Sequence, residues 1–249
     1  MGREIKKIFV HGWATDRRVW RGLLNEGDIT VALPGHGAAA KWTSPDLTPA
    51  VKAIEAALAK LPEGEEVVAT GWSLGAKALM SLAAAAPKKI RALVLIGASP
   101  SFIERDGFPH GRSKALVRRM LMDFKKTPEE TLKRFYRLNF TTAELESKEA
   151  RAFLKLYETI PVAFDLGGIA TALQALIEVD IREKLDKITI PTLLIHGEKD
   201  EVCAVEAADY LRDGLRDAWL VKFPEAGHAP FITEPGKFAE EVEGFINKI

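Results

Sequence analysis

Short apolar runs alternate with amphipathic stretches along most of the chain. Six of these runs are bounded by glycine, proline or charged residues, which is typical of buried strands. They lie in the segments IKKIFVHG, DITVALPGHG, EEVVATGWS, IRALVLIGASP, ITIPTLLIHGEKD and DAWLVKFPEAGH. Helical patterns occur in SPDLTPAVKAIEAALAKLP, in an alanine-rich stretch that Pro87 should end, in AVEAADYLRDGL and in PGKFAEEVEGFINKI. This alternation predicts an α/β fold with a mostly parallel sheet and helices on both faces.

The alternation stops between the fourth and fifth predicted strands. Residues 101–186 form too long a segment for a plain loop. They contain four helical patterns, in GRSKALVRRMLMDFKK, TPEETLKRFYRLNF, SKEARAFLKLYETI and GGIATALQALIEVD. We therefore predict a core of residues 1–100 and 187–249 with a helical insertion at 101–186. Because ligands bind beyond the carboxyl ends of such strands, the insertion should cover the site as a lid. An insertion elsewhere on the surface is the alternative.

Composition narrows the class of protein. The 249 residues include 35 basic and 35 acidic side chains, and 47% are hydrophobic. These values favour one large globular domain with an insertion, and they give no reason to expect a nucleic-acid or membrane partner. No run approaches the length of a membrane span or of a signal peptide, and the single Cys203 excludes an internal disulfide. We expect a cytoplasmic monomer without a metal site or cofactor.

Two glycines bracket a serine where the third predicted strand meets a helix, in Gly71-Trp72-Ser73-Leu74-Gly75. A G-x-S-x-G sequence at such a junction is typical of a nucleophile elbow, a tight turn that holds the serine in a strained conformation above the sheet. The glycines suit this turn because a Cβ would clash where the helix passes close to the strand. Chance occurrence is the alternative, but the flanking strand and helix favour the elbow. We predict that Ser73 is a nucleophile.

A nucleophilic serine needs a base, and the base needs an orienting acid. Of the five histidines, His228 follows the last predicted strand, in a loop that should emerge on the Ser73 side of the sheet. The acid should follow an intermediate strand, and the loop after the fifth strand offers Asp200, with Glu198 as the fallback. The order Ser73, Asp200, His228 along the chain matches a known order of Ser-Asp-His triads. Cys203 lacks an elbow and should pack as a small apolar residue.

The tetrahedral intermediate of such a reaction carries an oxyanion, which needs preorganised N–H donors. One donor should be the amide of Leu74, at the start of the helix after the nucleophile. The other should come from the loop after the first strand, HGWATD, where we choose the amide of Trp13. The indoles of Trp13 and Trp72 are expected to pack near the pocket.

The motifs VHGW, LPGHG, GWSLGA, LLIHGEKD and AGHAPFITEP stand in the order found in α/β-hydrolases, and the chain resembles that family over nearly its whole length. More narrowly, it resembles the carboxylesterases of this family that act in biotin synthesis on acyl chains held by acyl-carrier protein. The features shared with that group are Trp in HGW and GWSLG, then ASPSF, VDIREKL and GHAPFI. The resemblance implies an α/β-hydrolase fold and serine hydrolysis.

That resemblance also implies roles for residues of the predicted lid, in LKRFYRLNF. Phe135 would line an acyl channel, and Trp13 and Asn139 would contact the substrate, although the lid motif often has Gln at the position of Asn139. Arg134 and Arg137 would face the carrier protein, together with Arg118 and Arg119. Independently, residues 101–140 hold ten Lys and Arg against five Asp and Glu, which suits an acidic partner. A solvated helix face is the alternative.

These observations predict a serine carboxylesterase, acting through an acyl-enzyme on the methyl ester of a carrier-bound acyl chain. A general short-chain esterase or thioesterase, a carbon–carbon bond hydrolase and a lyase of menaquinone synthesis are alternatives on the same scaffold. Dehalogenases and epoxide hydrolases are dropped because they use an Asp nucleophile. A non-catalytic binding protein with an inherited pocket is the alternative of another class.

Overall fold

The predicted strands form a parallel sheet in a computed structural model of the protein, which describes residues 5–37, 40–86 and 89–249. The strands are β1 (Lys7–Val10), β2 (Ile29–Val31), β3 (Val67–Trp72), β4 (Ile90–Ile96), β5 (Thr192–Gly197) and β6 (Ala218–Phe223). Their order across the sheet is β2-β1-β3-β4-β5-β6, and every neighbouring pair is parallel. The predicted fold class is confirmed.

The register of the sheet brings the strand ends with candidate residues to one edge. A continuous row of paired residues crosses five strands, from Val10 through Gly71, Leu95 and Leu194 to Leu220. Because all five strands run in the same direction, the loops that follow them emerge on the same side. The loops with the predicted nucleophile, acid, base and oxyanion donors therefore share the carboxyl edge of the sheet.

Five α-helices accompany the strands in the part of the core that the structure describes. They are α1 (Thr48–Leu58), α2 (Leu74–Ala83), α7 (Val205–Gly214), α8 (Pro230–Thr233) and α9 (Pro235–Ile246). Helix α2 ends at Ala83, and Pro87, which the sequence indicated as its end, lies outside the described residues. The four-residue α8 was not predicted, because one turn is too short to show an apolar period. No helix in the described part of the chain is long and apolar enough to cross a bilayer.

Four helices lie in the insertion between β4 and β5, where the sequence predicted four. They are α3 (Lys114–Lys126), α4 (Pro128–Leu138), α5 (Lys148–Leu156) and α6 (Leu166–Glu178). Ser147 caps α5 by accepting a hydrogen bond from the amide of Ala150, and Asp165 caps α6 through the amide of Gly167. Helix α6 is buried along most of its length, whereas α3 buries only Val117 and Phe124.

The insertion packs against the loops at the carboxyl edge of the sheet. The hydroxyl of Tyr136 donates to the carbonyl of Ala14 at 2.6 Å, and the indole of Trp13 donates to the carbonyl of Ile169 at 2.8 Å. Tyr136 belongs to α4 and Ile169 to α6, so two helices of the insertion hold the loop after β1. This location is the one that a lid would need.

Candidate active site

Ser73 occupies a strained turn between a buried strand and a helix. It lies between the end of β3 at Trp72 and the start of α2 at Leu74, with a positive φ of 54° and a ψ of −111°. A Cβ added at Gly71 would lie 2.7 Å from the amide nitrogen of Ala76, and one at Gly75 would lie 2.2 Å from the carbonyl oxygen of Val10. Side chains at the two glycine positions would therefore block the close approach of α2 to the strands. The predicted elbow requires this approach, which explains the two glycines.

His228 and Asp200 are in direct contact at the same edge of the sheet. Nδ1 of His228 lies 2.6 Å from Oδ2 of Asp200, and both side chains are inaccessible to solvent. Within the described chain, Nε2 of His228 has no hydrogen-bond partner. When Nδ1 carries the ring proton and shares it with the carboxylate in a hydrogen bond, Nε2 is unprotonated and can accept a proton from another group. Glu198, the fallback acid, is exposed, so the geometry favours Asp200.

The carboxylate of Asp200 has a second histidine partner, His196, which the sequence did not predict as part of the site. Nε2 of His196 lies 3.1 Å from Oδ2, while Oδ1 accepts the amides of Val202 and Cys203 at 2.7 and 2.9 Å. Burial alone would raise the pKa of Asp200, but the charge of His228 and the hydrogen bonds from both histidines lower it well below its usual value. The described chain contains no group of His, Cys, Asp and Glu arranged to hold a metal ion.

Nε2 of His196 is shared between the carboxylate of Asp200 and the carbonyl of Cys203, which lies 2.8 Å away. Burial alone would lower the pKa of His196, but the hydrogen bond with Asp200 and the charge of that carboxylate raise it. The sequence did contain a signal, because His196 lies four residues before Asp200, at the end of β5. Two imidazoles thus stabilise the ionised carboxylate that the predicted triad requires.

The main chain of His228 is held on both sides. The indole of Trp72, the residue before Ser73, donates to the carbonyl of His228 at 2.9 Å, and the two rings lie 5.6 Å apart. The amide of His228 donates to the carbonyl of Asn139 at 2.8 Å. Asn139 directly follows α4, so a residue of the insertion positions the candidate base.

The peptide unit that carries the Trp13 amide has a fixed orientation. Its carbonyl, on Gly12, accepts hydrogen bonds from Nδ1 of His11 at 2.9 Å and from the hydroxyl of Thr15 at 3.0 Å. Nε2 of His11 accepts the amide of Leu33, which places the ring proton on Nδ1. Because the peptide is planar, two bonds at the oxygen also set the direction of the Trp13 N–H.

The second candidate donor, the Leu74 amide, is close to this loop. Leu74 is the first residue of α2, where an amide has no acceptor within the helix. The next residue, Gly75, touches the carbonyls of Val10 and His11, from which a Cβ would be 2.2 and 2.6 Å away. The start of α2 and the loop after β1 are thus adjacent. Both donor roles remain predictions.

Two neutral histidines lie beneath the Trp13 loop. Burial lowers the pKa of His11 to about 4, and burial together with neighbouring His11 lowers the pKa of His36 to about 3. Their ring centroids are 5.6 Å apart, so protonation of either would place a buried positive charge beside the other. In the unfolded chain these two histidines bind protons near pH 6.5, whereas in the folded chain they bind them at a much lower pH. Both histidines are neutral in the folded and the unfolded chain above pH 6.5, so they leave the free energy of unfolding at its full value there. As pH falls from 6.5 towards 4, they protonate mainly in the unfolded chain, and the free energy of unfolding decreases.

We expect His36→Phe to weaken the acid sensitivity of the fold. At pH 5, protonation of one such histidine stabilises the unfolded state by about 2 kcal/mol and does not stabilise the folded state. The free energy of unfolding of the wild type should thus fall between pH 7 and pH 5 by about 2 kcal/mol more than that of the variant. Urea titrations at the two pH values measure this difference. Equal losses in both proteins would exclude His36 as a source.

The predicted substrate-binding residues have different surroundings. Phe135 lines a cavity of about 340 Å³ between α3 and α4, and its ring lies 4.9 Å from that of Trp13. The amide group of Asn139 instead donates to the carbonyls of Phe135 and Tyr136 at 2.9 and 3.1 Å, and its Oδ1 is buried without a partner among the described residues. Substrate contact by these residues remains a prediction, and the observed contact of Asn139 with the site is its carbonyl bond to His228.

The four predicted carrier-facing arginines are all exposed. Arg118 and Arg119 lie on α3, and Arg134 and Arg137 lie on α4. Asp123 pairs with Arg119 at 2.9 Å and lies 3.9 Å from Arg134. Neither Arg118 nor Arg137 has a carboxylate partner within the described ranges. The two helices therefore present a basic surface beside the cavity.

Comparison with known proteins identifies the class. Residues 8–241 match the alpha/beta hydrolase family, and the chain belongs to that family. It is 34% identical over 254 residues to a pimeloyl-[acyl-carrier protein] methyl ester esterase of Aromatoleum aromaticum, covering 96% of this chain and 97% of that one. An enzyme of the same name from Nitrosomonas europaea is 30% identical over 93% of this chain and 91% of its own. The predicted family resemblance is thus confirmed.

A solved structure supports the same relationship. An esterase from Exiguobacterium antarcticum superposes with a TM-score of 0.88 and 28% sequence identity, over 99% of this chain and 93% of that one. The similarity therefore extends over the sheet and the insertion alike.

Proposed function

We propose that the protein is a serine carboxylesterase that hydrolyses the methyl ester of a pimeloyl chain carried by acyl-carrier protein. The observation that carries the esterase assignment is the strained Ser73 turn, whose neighbour Trp72 donates to the main chain of His228 in a buried Asp200–His228 pair with an unpartnered Nε2 among the described residues. The names of the relatives support the substrate. The basic surface on α3 and α4 is consistent with the carrier.

In the proposed reaction, Nε2 of His228 removes the proton from Ser73 as Oγ attacks the ester carbonyl. The amides of Trp13 and Leu74 donate to the oxyanion of the tetrahedral intermediate. His228 then gives its proton to the methoxy group, which leaves as methanol. A water molecule, deprotonated by His228, then attacks the acyl carbon; the C–Oγ bond breaks, His228 returns the proton to Oγ of Ser73, and the carboxylic acid leaves. Asp200 holds the imidazole in the productive tautomer and stabilises its charged form.

The cavity between α3 and α4 suits an acyl chain. Its apolar wall includes Phe102, Val117, Phe135 and Leu138, and it reaches Val202 in the loop of the candidate acid. The ring of Phe135 packs against that of Trp13, whose amide is a candidate oxyanion donor, so one residue of the cavity wall contacts the loop after β1. We propose that residues 101–186 act as a lid that guides the chain to Ser73.

The basic surface beside the cavity suits the acidic carrier protein. Arg119 and Arg134 line the cavity rim, and Arg118 and Arg137 extend the positive charge over the exposed faces of α3 and α4. Complementary charge mainly accelerates encounter and orients the partner, and it weakens with added salt. A carrier docked there would deliver its acyl chain into the cavity.

Reversing charge on α4 should selectively impair the carrier-linked substrate. We expect Arg134→Glu/Arg137→Glu to lower kcat/KM for pimeloyl-carrier methyl ester on the order of tenfold at low salt, because steering contributes about this much or more to association rates. Hydrolysis of a free short-chain nitrophenyl ester should be unchanged. Both rates are measured for the wild type and the variant at two salt concentrations.

A charge-matched control lies on α1 of the core, outside the insertion. Lys52→Glu/Lys60→Glu changes two exposed lysines at α1 and the loop after it, and it should leave both rates unchanged. Wild-type cleavage of the free ester alone would keep the mechanism and reject the carrier substrate, leaving a general short-chain esterase. Failure to cleave either ester would reject the proposed function and favour a non-catalytic binding protein.

A further inference from the structure

A carboxylate of the insertion is bonded directly to the loop that carries His228. Oε2 of Glu144 accepts the amide of Gly227 at 2.9 Å, and Oε1 accepts the hydroxyl of Thr233 at 2.5 Å. Glu144 begins a short 3-10 helix, Glu144–Glu146, that follows α4. Its side chain thus joins the insertion to both ends of the segment that contains the candidate base.

The position of this carboxylate is itself fixed. Oε2 also accepts the amide of Thr141 at 2.8 Å, and the hydroxyl of Thr141 accepts the amide of Glu144 at 3.1 Å. This reciprocal pair is a capping box, formed by the sequence T-T-A-E. A local capping motif therefore sets the side-chain conformation that reaches Gly227.

The loop and the insertion meet without space between them. A Cβ at Gly227 would lie 2.7 Å from the carbonyl oxygen of Asn139 and 3.1 Å from Oε2 of Glu144. Two consecutive amides of the loop donate to the insertion, that of Gly227 to Glu144 and that of His228 to Asn139. The main chain at the base is thus anchored at adjacent peptide units.

We propose that Glu144 is a positioning residue for His228, an inference that rests on the proposed role of His228 as the base. Asp200 sets the tautomer of the ring, whereas Glu144 sets the place of the main chain from which the ring extends. A misplacement of about 1 Å in a catalytic group can cost about 100-fold in rate. When the Glu144 contacts are lost, the amide of Gly227 no longer bonds to the insertion. His228 is then held by its ring contact with Asp200 and by its main-chain bonds to Trp72 and Asn139.

The test compares Glu144→Ala with Glu144→Gln on a free nitrophenyl ester, which needs no carrier protein. We expect Glu144→Ala to lower kcat on the order of 10- to 100-fold with KM little changed, because the displaced group acts in the chemical step. Glu144→Gln should restore most of the rate. Its oxygen can accept the two amides while its NH2 donates to the Thr233 hydroxyl.

A matched control lies in the same short helix. Glu146→Ala removes an exposed carboxylate that is paired with Arg151, and it should leave kcat unchanged. If Glu144→Ala fails to fold, Thr233→Val removes only the hydroxyl partner of Oε1 and should lower kcat a few-fold. The proposal is overturned if folded Glu144→Ala has the kcat of the wild type. Where that variant does not fold, it is overturned if Thr233→Val has the kcat of the wild type.

A second readout separates positioning from stability and does not depend on any substrate. The proton shared by His228 and Asp200 should give a low-field resonance in the NMR spectrum. We expect it to be shifted or broadened in folded Glu144→Ala and normal in Glu144→Gln and Glu146→Ala. An unchanged resonance in Glu144→Ala would contradict the positioning role. A wild type that shows the resonance but hydrolyses no ester would instead reject the proposed function.

Discussion

Ser73→Ala is expected to lower the rate of ester hydrolysis on the order of 10⁴-fold or more, since it removes the atom that would form the acyl-enzyme. The fold should persist, because alanine keeps the Cβ that already tolerates the positive φ at this turn. Rates on a nitrophenyl ester measure the loss. Reaction with a fluorophosphonate probe, which labels an activated serine, should disappear in parallel.

The control is another serine of the same helix region. Ser81→Ala changes a partly buried hydroxyl on α2, two turns beyond the elbow, and should keep both the rate and the labelling. Persistent labelling or a near-normal rate in Ser73→Ala would place the nucleophile elsewhere. A wild type that fails to react with the probe would indicate that Ser73 is not activated.

Asp200→Asn should lower kcat by about 10⁴-fold because the structure forces the new amide to face His228. The Oδ1 position receives the amides of Val202 and Cys203, so the side-chain oxygen of Asn must occupy it. The NH2 group then takes the place of Oδ2 and donates to Nδ1 of His228. The ring proton moves to Nε2, and the base can no longer accept the serine proton.

Glu198→Gln is the matched control, because Glu198 is an exposed carboxylate in the same loop. Its rate should equal that of the wild type, and the melting temperature of each variant shows whether the loop still folds. Comparable activity in Asp200→Asn and the wild type would remove Asp200 from the mechanism. A large loss in Glu198→Gln would restore the fallback assignment.

Local patterns explain why much of the fold and the Asp200–His228 contact could be predicted. Each strand has its own apolar run, and the glycines at 71 and 75 report a close contact between adjacent elements. Parallel strands then bring the ends of β5 and β6 to one edge, so the loops with Asp200 and His228 had to meet. These inferences need only chain order and periodicity.

Contacts that depend on the path of the insertion could not be predicted in the same way. The carbonyl of Asn139 and the carboxylate of Glu144 reach a loop more than 80 positions away, and no periodic pattern encodes that pairing. The NH2 group of Asn139 donates to two carbonyls of α4, the helix that Asn139 follows, and its contact with the substrate stays a prediction. His196 lies in β5, and the bend of the following loop brings Asp200 back to it, a contact that the apolar pattern of the strand does not indicate.

The hydrogen bond from the His228 amide to the Asn139 carbonyl has a consequence for evolution and for engineering. Insertions at one point of a sheet are often regarded as interchangeable modules that alter selectivity while the catalytic core stays the same. Here the proposed base, His228, takes part of its main-chain support from the insertion, so on this proposal a transplanted insertion must present a carbonyl at the same place. On the proposed mechanism, changes in the segment after α4 should alter the chemical step, whereas changes on the exposed faces of α3 and α4 should alter recognition of the partner.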